Sequence, residues 1–200
     1  MMETNMNNIY TIGYANKTIE DFIEQLRRYQ INALVDVRSV PFSAYFHDYN
    51  QDRLRHYLQQ ADIHYLDFGA QLGPRSKDPA HYDADNQVQF SRLSQSEAFH
   101  AGVLRIKAGL KKGYRIAMMC AEKDPAVCHR SLLISHSLLD EHALQVEHIT
   151  HDGDIETEAQ LRQRLMVLND VNKDFFRSEA ECLLDAYKLQ VKKYAYRKPK

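Results

Sequence analysis

Short apolar runs alternate along most of this chain with stretches in which apolar positions recur every three or four residues. Ile9-Tyr10-Thr11-Ile12 is a β-rich run closed by Gly13 and reads as a first strand. Thr18 then stands three positions before the acidic Asp21, a loose capping box, and Ile19, Phe22, Ile23 and Leu26 follow at helical spacing. The first helix is therefore expected to run to about Tyr29. Ala33-Leu34-Val35-Asp36-Val37 has the unbroken apolar character of a strand covered on both faces. Leu54, Tyr57, Leu58 and Ala61 mark a second helix, and His64 to Phe68 a third strand.

A stretch of about twenty residues without a clear period follows, from Gly69 to Phe90, and predicts a long functional loop or a surface excursion. Phe99, Val103, Ile106 and Leu110 give a third helix stopped at Gly113, and Tyr114 to Met119 a fourth strand. Ser131 to about His142 reads as helix and Gln145 to Ile149 as a fifth strand. Strand and helix in this rhythm predict an α/β fold: a mostly parallel, five-stranded sheet with helices on both faces. After Gly153 the rhythm changes. Ala159 to Leu168 and Phe175 to Val191 look helical with no strand between, so residues 1–153 are expected to form the α/β domain and 154–200 a helical C-terminal extension with a basic tail.

Composition narrows the class without naming a partner. The 200 residues carry a formal net charge of −1, which gives no global reason to expect nucleic acid or membrane. No apolar run approaches the roughly 18 residues that cross a bilayer, and the N-terminal Met-Met-Glu-Thr-Asn-Met-Asn-Asn lacks a signal-like apolar segment. Three cysteines, Cys120, Cys128 and Cys182, do not make a disulfide framework, so a reduced, cytoplasmic setting is expected.

The chemistry-bearing residues fall where the predicted strands end. Gly13 and Tyr14 follow the first strand, Asp36 and Arg38 the second, Gly73 and Arg75 the third, and Cys120 and Glu122 the fourth. In an open parallel sheet that carboxyl edge is where ligands bind. A buried Asp36 needs a partner, and Arg38, two residues on, faces the same side of a strand; the pair is either a structural brace or part of an anion site. Ser43 lies just beyond the following proline and is a further lining candidate. In "CAEKDPAVCHR", Cys128 is placed at the first turn of the next helix, where a thiol ionises more readily, the more so beside His129 and Arg130. Cys120 and Cys128 are thus candidates for a nucleophilic or redox thiol with Glu122 as acid or base, the loop is equally a candidate anion pocket, and Cys120 could simply be a small buried hydrophobe. Seven residues separate the two cysteines, where zinc pairs usually place about two to four, so no metal ligand is assigned, although His148 and His151 would be the residues to complete a cluster. No cofactor is identified.

"YTIGYANKTIEDFIEQL", "LVDVRSVPFSAYF", "LGPR" and "CAEKDPAVCHRSLL", in that order, resemble the prokaryotic family known as domain of unknown function 488 over about residues 9–150. The resemblance implies an α/β fold and a shared pocket involving Thr11, Gly13, Asp36, Arg38, Pro41, Ser43, Leu72, Gly73, Cys120, Glu122, Cys128, His129 and Arg130, with no established reaction. Where relatives often carry a basic residue after the serine, Ala44 stands here. A looser similarity of architecture links the Asp-Val-Arg and the cysteine loop to rhodanese-like sulfurtransferases, whose cysteine loop is shorter.

Two functions follow as expectations. The first is an enzyme acting on a small anionic or nucleotide-containing substrate in the carboxyl-edge pocket. The second is a nucleic-acid-binding module using the tail "KLQVKKYAYRKPK", in which lysines and arginine interleave with Tyr194 and Tyr196. A homo-oligomer formed through the C-terminal helices is a third, blander option.

Overall fold

The computed structural model describes residues 9–173 and 175–199; the polar segment 1–8, Asp174 and Lys200 lie outside the described residues. The chain is α/β. Its strands are β1 (Ile9–Gly13), β2 (Ala33–Asp36), β3 (His64–Asp67), β4 (Ile116–Cys120), β5 (Val146–Ile149) and β6 (Ile155–Thr157). They form one sheet in the order β3-β2-β4-β1-β5-β6. Neighbours are parallel except β6, which runs antiparallel to β5.

That last strand corrects the expectation of five. Ile155-Glu156-Thr157 is too short and too mixed in polarity to show a period, and the turn through Gly153, at φ 88°, lets it fold back on β5. The stretch after Gly69 also differs from a structureless loop. It holds α3 (Gly69–Leu72), a 3₁₀ turn at Pro79–His81 and α4 (Phe90–Leu93), and buries Leu72, Tyr82, Val88 and Phe90. Those four side chains are spaced too irregularly for periodicity to reveal them.

Alternation along the strands divides the core. Tyr10, Ile12, Leu34, Ala117, Met119 and Ile149 pack against α1 (Ile19–Arg28) and α2 (Gln51–Gln60). Ile9, Val35, Ile116, Met118 and Val146 face the other way, onto α5 (Glu97–Lys111), α7 (Glu158–Leu168) and α8 (Glu179–Tyr194). The C-terminal helices therefore share a core with the sheet. Thr157 and Ser178 open α7 and α8 with reciprocal capping boxes. Between β4 and β5 the chain makes a π-helical stretch, Arg130–Ser135, that continues as α6 (His136–Asp140). Among the described residues no helix is long and apolar enough to cross a membrane.

The topology positions the site. From β1 the chain steps through α1 and α2 toward the β3 edge on one face; from β4 it steps through the π-helical stretch and α6 toward β5 on the other. The adjacent carboxyl ends of β1 and β4 thus lie at a switch point, where diverging connections leave a crevice.

Candidate functional site

Gly13 ends β1 beside Cys120 of β4, and a Cβ at Gly13 would sit 1.9 Å from the Glu122 carbonyl oxygen. Only a residue without a side chain lets the segment after β4 lie this close. Tyr14 N and Ala15 N then donate to the carbonyls of Cys120 and Ala121, extending the pairing past the strands. Asp124 accepts from Ala126 N at 2.8 Å and caps a 3₁₀ turn through Pro125, which brings the chain back so that Cys128 lies next to Cys120.

The result is a cluster of four donors. Glu122 Oε2 lies 2.9 Å from Cys120 Sγ and 3.0 Å from Cys128 Sγ, while His129 Nδ1 lies 3.5 Å and 3.9 Å from the same sulfurs. His129 Nε2 is 3.0 Å from the Val37 carbonyl, so it carries the proton and leaves Nδ1 facing the thiols. Both cysteines and His129 are buried, whereas Glu122 stands at the mouth. Burial, with Cys128 and Glu122 as neighbours, pushes the Cys120 thiol well up. Burial opposes ionisation of Cys128 as well, but the Cys120 hydrogen bond, Arg130 and His129 more than offset it and hold this thiol well below the usual range. Burial lowers His129, yet Cys128 and Glu122 outweigh it and raise the imidazole; burial and Cys128 raise Glu122.

A cleft of about 230 Å³ opens over this cluster. Tyr14, Arg38, Ser39, Val40, Phe42, Pro74 and Arg75 line it together with Cys120, Ala121, Glu122 and His129. Arg38 is braced in place: Nε and Nη2 hold the Asp36 carboxylate at 2.6–3.2 Å, Nη2 also donates to Tyr49 O, and Nη1 donates to Tyr14 OH. Of the five guanidinium N–H groups, one on Nη1 has no partner among the described residues. Tyr49, stacked on Tyr14 at 4.3 Å, completes the brace. Arg75 differs. Its side chain is exposed, lies over the Tyr196 ring at 5.0 Å, and has no ion-pair partner among the described residues.

Several residues predicted for the pocket do other work. Arg130 is wholly buried, and its side chain donates to Thr11 Oγ1 at 3.3 Å, Glu122 O at 2.6 Å and Lys123 O at 3.2 Å, so it clamps the loop from behind and does not face the cleft. Asp36 is the inner half of the Arg38 pair and also accepts from Tyr65 OH. Ser43 Oγ accepts from Tyr45 N and Phe46 N and shapes a turn outside the cleft. Gly73 serves packing: a Cβ there would meet Ser39 Oγ at 2.3 Å. His148 bonds Thr11 and Glu158, and His151 lies in a separate hollow with Lys17, so neither joins the cysteines. Cys182 is buried at α8, away from the cluster, with its thiol toward Asn172 O.

Ser39, Phe42 and Tyr49 were not singled out from the sequence. Phe42 carried a readable signal, an aromatic beside Pro41 in a polar stretch, and it is 65% exposed. The described part of the basic tail folds back onto the segment from Tyr82 to Val88. Gln87 bridges to Arg197, Val88 N donates to Tyr196 O, Lys198 N donates to Asn86 O, and Lys198 Nζ sits 3.7 Å over the Tyr82 ring.

No curated protein and no solved structure matches this chain. A family match does cover residues 18–136, more than half the sequence, and it contains Asp36, Arg38, Arg75 and the whole cysteine loop. With the α/β sheet and the cleft in view, the expected resemblance holds: the chain belongs to the family described as domain of unknown function DUF488.

Proposed function

We propose that this protein is an enzyme whose active site is the cleft between β1 and β4, acting on a small anionic molecule. One observation carries the reading. Arg75, a cation with no ion-pair partner among the described residues, lines a cleft together with Cys120, Glu122 and His129. The Arg38 N–H that has no partner among the described residues and the Ser39 hydroxyl add donors to the same cleft. Phosphate oxygens are suited to such a set, because guanidinium groups bind them through charge-assisted hydrogen bonds. Phe42 offers an apolar surface beside them for the body of the substrate.

The test is thermal unfolding with added pyrophosphate, against chloride at matched ionic strength. A ligand that binds only the folded chain raises Tm in a saturable way. Saturable stabilisation is expected in the wild type and in the control Arg53→Ala, and its loss in Arg75→Ala. Equal stabilisation in Arg75→Ala, or none beyond chloride in the wild type, would sink the reading.

A further inference from the structure

We propose that Cys120, Glu122, Cys128 and His129 form a binding site for one divalent ion of the zinc class. This goes beyond the anion reading and stands or falls separately from it.

The donor set comes first. Two thiols, an imidazole nitrogen and a carboxylate oxygen all lie within 4.8 Å of one another. A tetrahedral zinc ion at about 2.3 Å from sulfur and about 2.0–2.2 Å from nitrogen or oxygen sets its ligands about 3.3–3.8 Å apart. The four distances between the sulfurs and their two partners, 2.9, 3.0, 3.5 and 3.9 Å, bracket that range, so small side-chain shifts complete the polyhedron. Two sulfurs with an imidazole favour zinc, or iron and cobalt in its place, over magnesium or calcium.

The surroundings supply independent support. The Val37 carbonyl takes the proton of His129 Nε2, the outer contact that orients a metal-bound imidazole. Arg130 N donates to Cys128 Sγ at 3.4 Å, the kind of contact that steadies a thiolate. Arg130 itself is the second clue. Its guanidinium is 0% exposed, its side-chain hydrogen bonds go to neutral oxygens, and it has no ion pair among the described residues. A buried charge without a counter-charge costs several kcal/mol. Two thiolates and a carboxylate, against a doubly charged ion and Arg130, balance to zero. Without the ion, the charges near Arg130 are Cys128, which it favours as a thiolate, and Asp124, which is already paired with Arg164.

The arrangement also leaves an entrance. Cys128 and His129 are buried, while Glu122 is at the mouth and lines the cleft. Glu122 is therefore the ligand whose position opens toward an incoming molecule, as in zinc sites that keep three fixed protein ligands and one exchangeable position.

The experiment is elemental analysis of the full chain purified under reducing conditions without chelator. About one zinc-class ion per chain is expected, as for a four-ligand site. Cys128→Ser should lose it and Cys182→Ser should keep it. Because Cys128→Ser could unfold, a second measurement uses the wild type alone: strip with chelator, confirm folding by circular dichroism, then add cobalt chloride. A thiolate-to-cobalt absorption band that saturates and is displaced by zinc chloride supports the site. Folded, reduced, stripped protein that gives no such band overturns it, as does metal retained in full by Cys128→Ser. Pyrophosphate stabilisation on the same samples separates the two proposals: if it survives without cobalt uptake, only the metal site fails, and the reverse result removes only the anion reading.

Discussion

Thr11 joins the clamp behind the cleft to the body of the sheet, and its hydroxyl can be tested by two substitutions of opposite character. The side chain is fully buried, with Oγ1 2.8 Å from His148 Nδ1 and 3.3 Å from Arg130 Nε. His148 Nε2 lies 2.9 Å from Glu158 Oε2 and gives its proton there, so Nδ1 is an acceptor. Thr11 therefore donates to His148 and accepts from Arg130. Thr11→Val keeps the shape but orphans both neighbours. Each buried polar group left without a partner costs about 1–3 kcal/mol, and the extra apolar burial returns about 1. The net loss centres on about 3 kcal/mol. Thr11→Ser keeps the hydroxyl and removes one methyl, about 1 kcal/mol. Urea unfolding should show the Val midpoint falling by about 1–2 M at unchanged slope, and the Ser midpoint falling less. Valine is the more apolar and the better strand former, so propensity and burial alone predict the opposite order. A Val variant as stable as the Ser variant would refute the hydrogen-bond argument.

Three further outcomes follow from the same geometry. Gly13→Ala places a Cβ 1.9 Å from the Glu122 carbonyl, which Arg130 Nη1 holds at 2.6 Å; overpacking should cost about 1–3 kcal/mol in urea and abolish pyrophosphate stabilisation, and unchanged binding would show that the loop yields freely. Lys17, donating to Gln25 and Thr150 O, has its ammonium lowered to about 8 by burial first and the Arg130 charge second. Between about pH 8 and 10.4 the unfolded chain keeps a proton that the folded chain has released, so stability gains at most about 1.4 kcal/mol per pH unit from this group. Lys17→Met should remove that rise, and identical pH slopes in the two proteins would disprove the shift. Tyr196→Ala removes the ring under Arg75 and should weaken pyrophosphate binding about 2–5-fold, the equivalent of about 0.5–1 kcal/mol for an exposed cation–π contact. Unchanged affinity would mean that the tail does not position the cation.

The fold was largely legible because its central strands are buried on both faces. Ile9 to Ile12 and Ala33 to Val37 advertise that burial as continuous apolar runs. The Asp36–Arg38 pair was legible for a related reason, since residues two apart on a strand share a side. Spacing along the chain says little about proximity wherever the chain turns back on itself. The seven residues between Cys120 and Cys128 argue against a metal pair only if the loop is open, and Gly13, Asp124 and Pro125 close it. Arg130 looked like an anion ligand because charge beside a cysteine is visible in sequence, whereas burial behind the loop is not.

The missed strand and the missed geometry are connected. Arg164 of α7 holds Glu156 of β6 at 2.7–2.8 Å and Asp124 of the cysteine loop at 2.8–3.0 Å. The same Asp124 caps the turn that returns Cys128 to Cys120. Glu158, which opens α7, receives His148, which receives Thr11, which receives Arg130. Gln190 of α8 adds a hydrogen bond to Ala126 O at 2.8 Å, so the C-terminal segment meets the cysteine loop on its outer turn, at Ala126 and behind its clamp. The contacts that shape the loop come from beyond β5, in the residues expected to form the helical C-terminal extension, and pairings so distant along the chain leave no periodic signal in the sequence.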